Sequence, residues 1–167
     1  MPDYCTVFRG VDGLYLAARW HDIVTYFYVD RESPANFKSF EEWVRSLPAD
    51  YPQGTGAIIW VDAIGAKRPP SAEVRAAYAE LAARQQHRHF ARLSILEVDG
   101  FAGATARAVL TGMNMLKRVS FPQRVVQDPQ AGLRWLFGFL PPDSVRGTPE
   151  EACRFFQQTL ADYRRKF

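Results

Sequence analysis

The stretch Ala57–Gln85, AIIWVDAIGAKRPPSAEVRAAYAELAARQ, decides how the chain is read. It opens on a short apolar run that ends at Asp62, the pattern of a strand covered on both faces. A glycine-containing basic loop follows and carries Lys67 and Arg68. Pro69 and Pro70 block a helix upstream, since proline lacks an amide hydrogen and clashes with the preceding turn. Ser71 offers a side-chain oxygen to the free amides of a helix that begins behind it. Val74, Tyr78 and Leu81 then recur on one face of that helix. Strand, loop and capped helix in succession are the repeating unit of an α/β domain.

The unit recurs on both sides. "YCTVFRGV", Asp12-Gly13 and "LYLAARW" read as a β-hairpin, because Asp-Gly tolerates the positive φ angles of a tight turn. "HDIVTYFYVD" is rich in β-branched and aromatic residues and favours a strand, although Thr25 could instead cap a helix running toward Ser33. Ser33-Pro34, Asp128-Pro129 and Thr148-Pro149 each set a capping side chain before a proline at the first helical position. Glu151, three residues after Thr148, completes a capping box. Helical stripes follow at Phe37, Phe40, Val44 and Leu47, at Leu110, Met113 and Leu116, and at Leu133, Leu136 and Leu140. A last stripe holds Cys153, Phe156, Leu160 and Tyr163, with Phe155 and Phe167 beside it. "ARLSILEV" and "QRVVQ" read as further covered strands.

The expected fold is therefore α/β: one small domain with a mixed or largely parallel sheet opened by a hairpin, helices packed on it, and an appended C-terminal helix. Residues 1–140 form the domain, 141–147 a linker, and 148–167 an amphipathic helix packed on the domain or free to dock a partner.

At 167 residues, with 47% hydrophobic and 14% aromatic residues, the chain has the length and composition for one real core. No apolar run reaches the roughly 20 residues of a membrane span, and "MPDYCTVFRG" lacks the pattern of a secretory signal. The expected address is the cytoplasm. Cys5 and Cys153 fit no metal-ligand spacing and read as inert thiols. The net charge of +3 is concentrated in "RQQHRHFAR" and "YRRKF", short of the stripe that nucleic-acid binders present. Weak nucleic-acid binding through these segments is the third-ranked function.

In α/β sheets, ligands gather beyond the carboxyl ends of strands. Two junctions qualify: Asp62 to Ser71, and "EVDGFAGATARAVLTG", where Gly103, Thr105 and Arg107 open a helix. If their strands are neighbours, both loops share one rim. Ser71 reads first as a helix cap. A phosphate added there would be favoured by the helix N-terminus, with Lys67, Arg68 and Arg107 supplying charge. Paired histidines for a metal, a nucleophile elbow and a Cys-x-x-Cys are all missing. His87 and His89 fall on different sides of a helix, and His21 beside Asp22 reads as a turn. No cofactor, metal or catalytic residue is expected.

The order of elements, with "PPSAEVRAAYAEL", "GFAGATARAVLTGMNML" and "FPQRVVQDPQAGLRWL", resembles the STAS, or anti-sigma-factor-antagonist-like (SpoIIAA-like), fold. The likeness covers roughly Tyr4 to Leu140. It implies a non-enzymatic bacterial regulatory module that binds another protein through the third-strand loop and the next helix, with Ser71 at the phosphorylated position. The chain departs from that family at "DAIGAKRPPS", which is longer, carries two prolines and lacks the usual Asp-Ser-Ser/Thr-Gly type of motif. The leading expectation is thus a regulatory or scaffolding domain acting by protein–protein contact, with homodimerisation open. The alternative is a small-molecule binder or enzyme taking an anionic ligand at Asp62, Lys67, Arg68, Gly103 and Arg107.

Overall fold

Six strands, β1 (Cys5–Arg9), β2 (Leu16–Trp20), β3 (Ile23–Tyr28), β4 (Thr55–Val61), β5 (His89–Leu96) and β6 (Gln123–Val126), lie side by side in chain order in one sheet. The first two pairings are antiparallel and the remaining three are parallel. The helices whose bounds are described are α1 (Pro34–Ser46), α2 (Gly100–Leu116), α3 (Pro129–Phe137) and α4 (Pro149–Arg164). The computed structural model describes residues 5–9, 16–28, 34–47, 51–63, 66, 71–73, 76–77, 80, 84, 88–116, 120–142 and 147–166. Asp12-Gly13, Ser33, Lys67, Arg68, the two prolines before Ser71, Val74, Tyr78, Leu81, His87 and Phe167 lie outside them, as do the side chains of Phe37, Leu110, Met113 and Leu116. Between β4 and β5, Ala72, Glu73, Ala76, Ala77, Glu80 and Arg84 are helical.

The β1–β2 register sets Cys5 opposite Trp20 and Arg9 opposite Leu16, the antiparallel pair of a hairpin. Trp20 faces Ile23 across the next turn, so only His21 and Asp22 connect β2 to β3. His21 takes a φ of 50°, the left-handed value that a two-residue hairpin demands. Segment 21–30 therefore holds a strand. Ile23–Tyr28 is buried throughout because it pairs on both sides, with β2 and with β4.

Each parallel crossover steps to the next strand in the same direction. Right-handed crossovers of this kind put their helices on one face of the sheet. On that face Ala17, Val24, Tyr26 and Tyr28 pack with Phe40, Val44 and Leu47 of α1, and with Ala77. Among the described residues, neither α1 nor Ala77 contributes to the core on the opposite face. It is filled by the chain after β6: Leu133, Leu136 and Leu140, then Ala152, Cys153, Phe156, Leu160 and Tyr163 of α4. These meet Leu16, Ala18, Ile23, Phe27, Ile58, Trp60, Ala91, Leu93 and Ile95 from the strands. Strand period two sorts the residues between the two clusters.

Helix α4 is consequently a layer of the core. Phe156 is fully buried, its ring 6.3 Å from that of Phe27, and Phe155 stacks 5.2 Å from Trp20. The helix starts as its sequence requires: the Thr148 hydroxyl accepts from Glu151 N, and the Glu151 carboxylate accepts from Thr148 N. Among the described residues no helix is long and apolar enough to cross a membrane.

Candidate functional site

The carboxyl ends of β4, β5 and β6 build one rim. Val61 pairs with Leu96, and Glu97 N donates to Val61 O at 3.0 Å, so the chains leaving β4 and β5 emerge side by side. The Gln127 amide donates to Asp99 Oδ1 at 2.6 Å and ties the exit of β6 to that of β5. The strand before Ser71 is the fourth in the chain, one later than the STAS resemblance implies, because β3 is a strand.

Most of the rim residues singled out from sequence serve the fold. Asp62 is buried, and its Oδ2 accepts from Arg164 Nη2 at 2.5 Å and Nε at 3.1 Å. Gly103 sits in the first turn of α2 so close to β5's exit that a Cβ there would stand 1.9 Å from Val98 O. The Arg107 guanidinium turns inward and donates to Val98 O at 2.7 Å and, more weakly, at 3.5 Å to Leu96 O, which already accepts from Val98 N. Thr105 is exposed and its hydroxyl donates to Phe101 O at 2.9 Å. Ser71 is exposed and directly precedes helical Ala72, the N-cap position. Lys67 and Arg68 are outside the described residues.

The electrostatics of the described rim are acidic. Asp99 and Asp128 are exposed, Asp128 capping α3 by accepting from Gln130 N, and the half-buried Glu97 accepts from Trp60 Nε1 at 2.9 Å. With Arg107 spent on carbonyls, the exposed charges that remain among these described residues are negative. Among the described residues no group of three or more His, Cys, Asp or Glu could hold a metal.

What sequence reading passed over is Phe101. It stands at the start of α2 with 89% of its surface exposed. The other outward positions that are described, Ala104, Thr105, Ala108 and Thr111, are uncharged, and the only charged residue in the 17-residue helix is the inward-turned Arg107. A surface helix ordinarily shows water a charged face. The signal was present in "GFAGATARAVLTGMNML", an apolar helix with an aromatic between two glycines, yet a helical pattern alone does not say which side faces out.

No protein-family model, curated protein or solved structure matches the chain. What fold and rim define is a class: a mixed α/β sheet in sequential strand order, with helices on both faces and an uncharged helix beside the strand carboxyl ends.

Proposed function

We propose that the protein is a non-enzymatic regulatory or scaffolding module that binds another protein through the outer face of α2. The observation that carries this is Phe101, a large apolar side chain held 89% exposed on a helix whose one charge points inward. Exposed apolar surface with a polar border is the usual mark of a contact surface. The exposed carboxylates of Asp99 and Asp128 on the same rim favour a partner with an apolar centre and a basic border. The STAS-like resemblance of the sequence implies the same kind of activity, although the strand before Ser71 is the fourth in the chain rather than the third. Ser71, exposed at the helix start, is the position where phosphorylation would add negative charge.

The test compares wild type with Phe101→Asp by affinity capture and quantitative mass spectrometry. A side chain this exposed contributes little to stability, so the variant melts with the wild type. A partner held by wild type and lost by Phe101→Asp supports the reading. Identical captured sets from two equally stable proteins reject it. Ser71→Asp and Ser71→Ala, compared for the same partner, separate a regulatory serine from a plain cap, because Asp also caps.

A further inference from the structure

At the opposite, amino end of the parallel strands lies a polar cluster that the rim does not use. Thr55 Oγ1 is 3.2 Å from His89 Nδ1, and His89 packs edge-on against the Phe121 ring at 5.7 Å. The Arg92 guanidinium lies over the same ring, 5.7 Å from its centre, and donates to Gln123 Oε1. These residues share one sheet face only because β5 is bulged. Thr55 pairs with His89 but Gly56 pairs with Ala91, leaving Phe90 as the extra residue. Without that insertion, His89 and Arg92, three apart, would project to opposite faces. Bulges of this kind re-aim side chains and are common beside functional sites.

Arg92 is the residue that asks for a ligand. It is half-buried, yet no carboxylate among the described residues pairs with it. Arg45, Arg84, Arg134, Arg164 and Arg165 all have such partners. A guanidinium cannot shed its proton, so burial leaves an uncompensated charge. Burial alone pushes its pKa down, with no acidic group opposing. Gln123 spends Oε1 on Arg92, which turns its amide nitrogen into an available donor.

We infer that Thr55, His89, Arg92 and Gln123 form a phosphoryl-binding site at the amino end of β4, β5 and β6. The guanidinium gives a planar fork suited to phosphate oxygens, the Gln123 amide adds a donor, and the hydrogen-bonded Thr55–His89 pair borders them. The phosphoryl group can be a free phosphate or monoester, or a phosphodiester of a single-stranded nucleic acid. The site is at the other end of the sheet from Phe101, so it stands or falls independently of the protein-docking surface.

The experiment is thermal denaturation of the full chain in inorganic phosphate against chloride at equal ionic strength, with a parallel titration by a single-stranded oligonucleotide. Phosphate at about ten times its dissociation constant raises Tm by a few degrees. Arg92→Met removes that rise, and in chloride melts no lower than wild type, because an uncompensated charge has been replaced by an apolar chain. Arg92→Lys keeps the charge, loses the fork and shows a smaller rise, which preserves the test if Arg92→Met does not fold. Oligonucleotide binding that is lost in Arg92→Met, with no response to inorganic phosphate, places the site on a polymer backbone, and its affinity then falls steeply with salt. An equal rise in wild type and Arg92→Met, or no response to either probe, overturns the inference.

Discussion

Arg164, in the last turn of α4, holds Asp62, at the end of β4, across 102 residues of chain with two hydrogen bonds to one carboxylate oxygen. The two ends of the pair are unequal: Asp62 is 2% exposed and Arg164 43%. A cation in a helix's last turn also suits the helix dipole. Losing Arg164 takes two hydrogen bonds from a buried carboxylate, whereas losing the Asp62 charge returns a half-exposed guanidinium to water. Arg164→Ala should therefore cost about 2–3 kcal/mol, below the full buried-pair value because one partner is solvated. Asp62→Asn, which keeps an acceptor, should cost about 1 kcal/mol. Urea midpoints measured on both variants check the order, and equal midpoints would mean that the pair does not anchor α4.

Gly103 and Gly132 make a graded pair. A Cβ at Gly103 meets the Val98 carbonyl oxygen at 1.9 Å and its carbon at 2.6 Å, both backbone atoms that cannot swing aside. At Gly132 the nearest atoms are Val126 Cγ2 at 2.8 Å and the two Leu93 methyls at 3.0 Å, ends of side chains that can give. Gly103→Ala should cost about 3 kcal/mol or more and displace the start of α2 with Phe101, while Gly132→Ala costs about 1–2 kcal/mol. Thermal melts of the two variants, side by side, decide the ranking.

The same contrast shows what the sequence could reveal. Short apolar runs and helical spacing exposed β4, β5 and β6 and the stripes of α1, α3 and α4, since each depends on residues a few positions apart. Proline after a capping residue marked the starts of α3 and α4 for the same reason. Asp62 was picked out correctly as an end-of-strand residue, but its partner sits on the far side of the chain, and nothing in either segment announces the pairing. Arg92 lay hidden inside "RQQHRHFAR", where a run of bases reads as a solvated surface. The bulge at Phe90 that turns His89 toward it has no local sequence signature. Ile23–Tyr28 stayed ambiguous because a strand buried on both faces loses the alternation that identifies one.

The capping box of α4 bears on the whole core, because the helix supplies Phe156 and Leu160 to one face of the sheet. Thr148→Ala leaves Glu151 N without its acceptor and should cost about 1 kcal/mol, whereas Thr148→Ser, which keeps the oxygen, should be close to neutral. Because the core is shared, the loss should appear in the single global transition followed by both tryptophan fluorescence and far-ultraviolet dichroism. Two separated transitions would instead mark α4 as an independent appendage.

Glu150 gives a pH signature at the α3–α4 contact. The hydrogen bond from Arg134 Nε, at 2.9 Å, holds its carboxyl below the ordinary range, with further help from the backbone. A carboxylate whose folded pKa is depressed contributes stability above its unfolded value of about 4.3 and loses it as pH falls through the folded value. Carboxyl NMR titration should show Glu150 protonating below the reference value in wild type and moving up toward it in Arg134→Ala. A titration unchanged by that substitution would show that the contact is not formed in solution.

Cys153 reports whether α4 stays docked. It is buried as a free thiol among the core side chains, and burial, followed by the nearby carboxylates of Asp128, Glu97 and Glu150, pushes its pKa up. Only the thiolate reacts readily, so the native thiol is protected twice, by access and by proton affinity. In a Cys5→Ser background, which leaves one thiol, disulfide-exchange labelling should be negligible under native conditions and appear in step with global unfolding in urea. Arg164→Ala loosens the last turn of the same helix and should speed labelling even where the protein remains folded. Fast labelling of the otherwise unaltered chain in native buffer would mean that α4 opens on its own, and the second core face would then be exposed far more often than its packing implies.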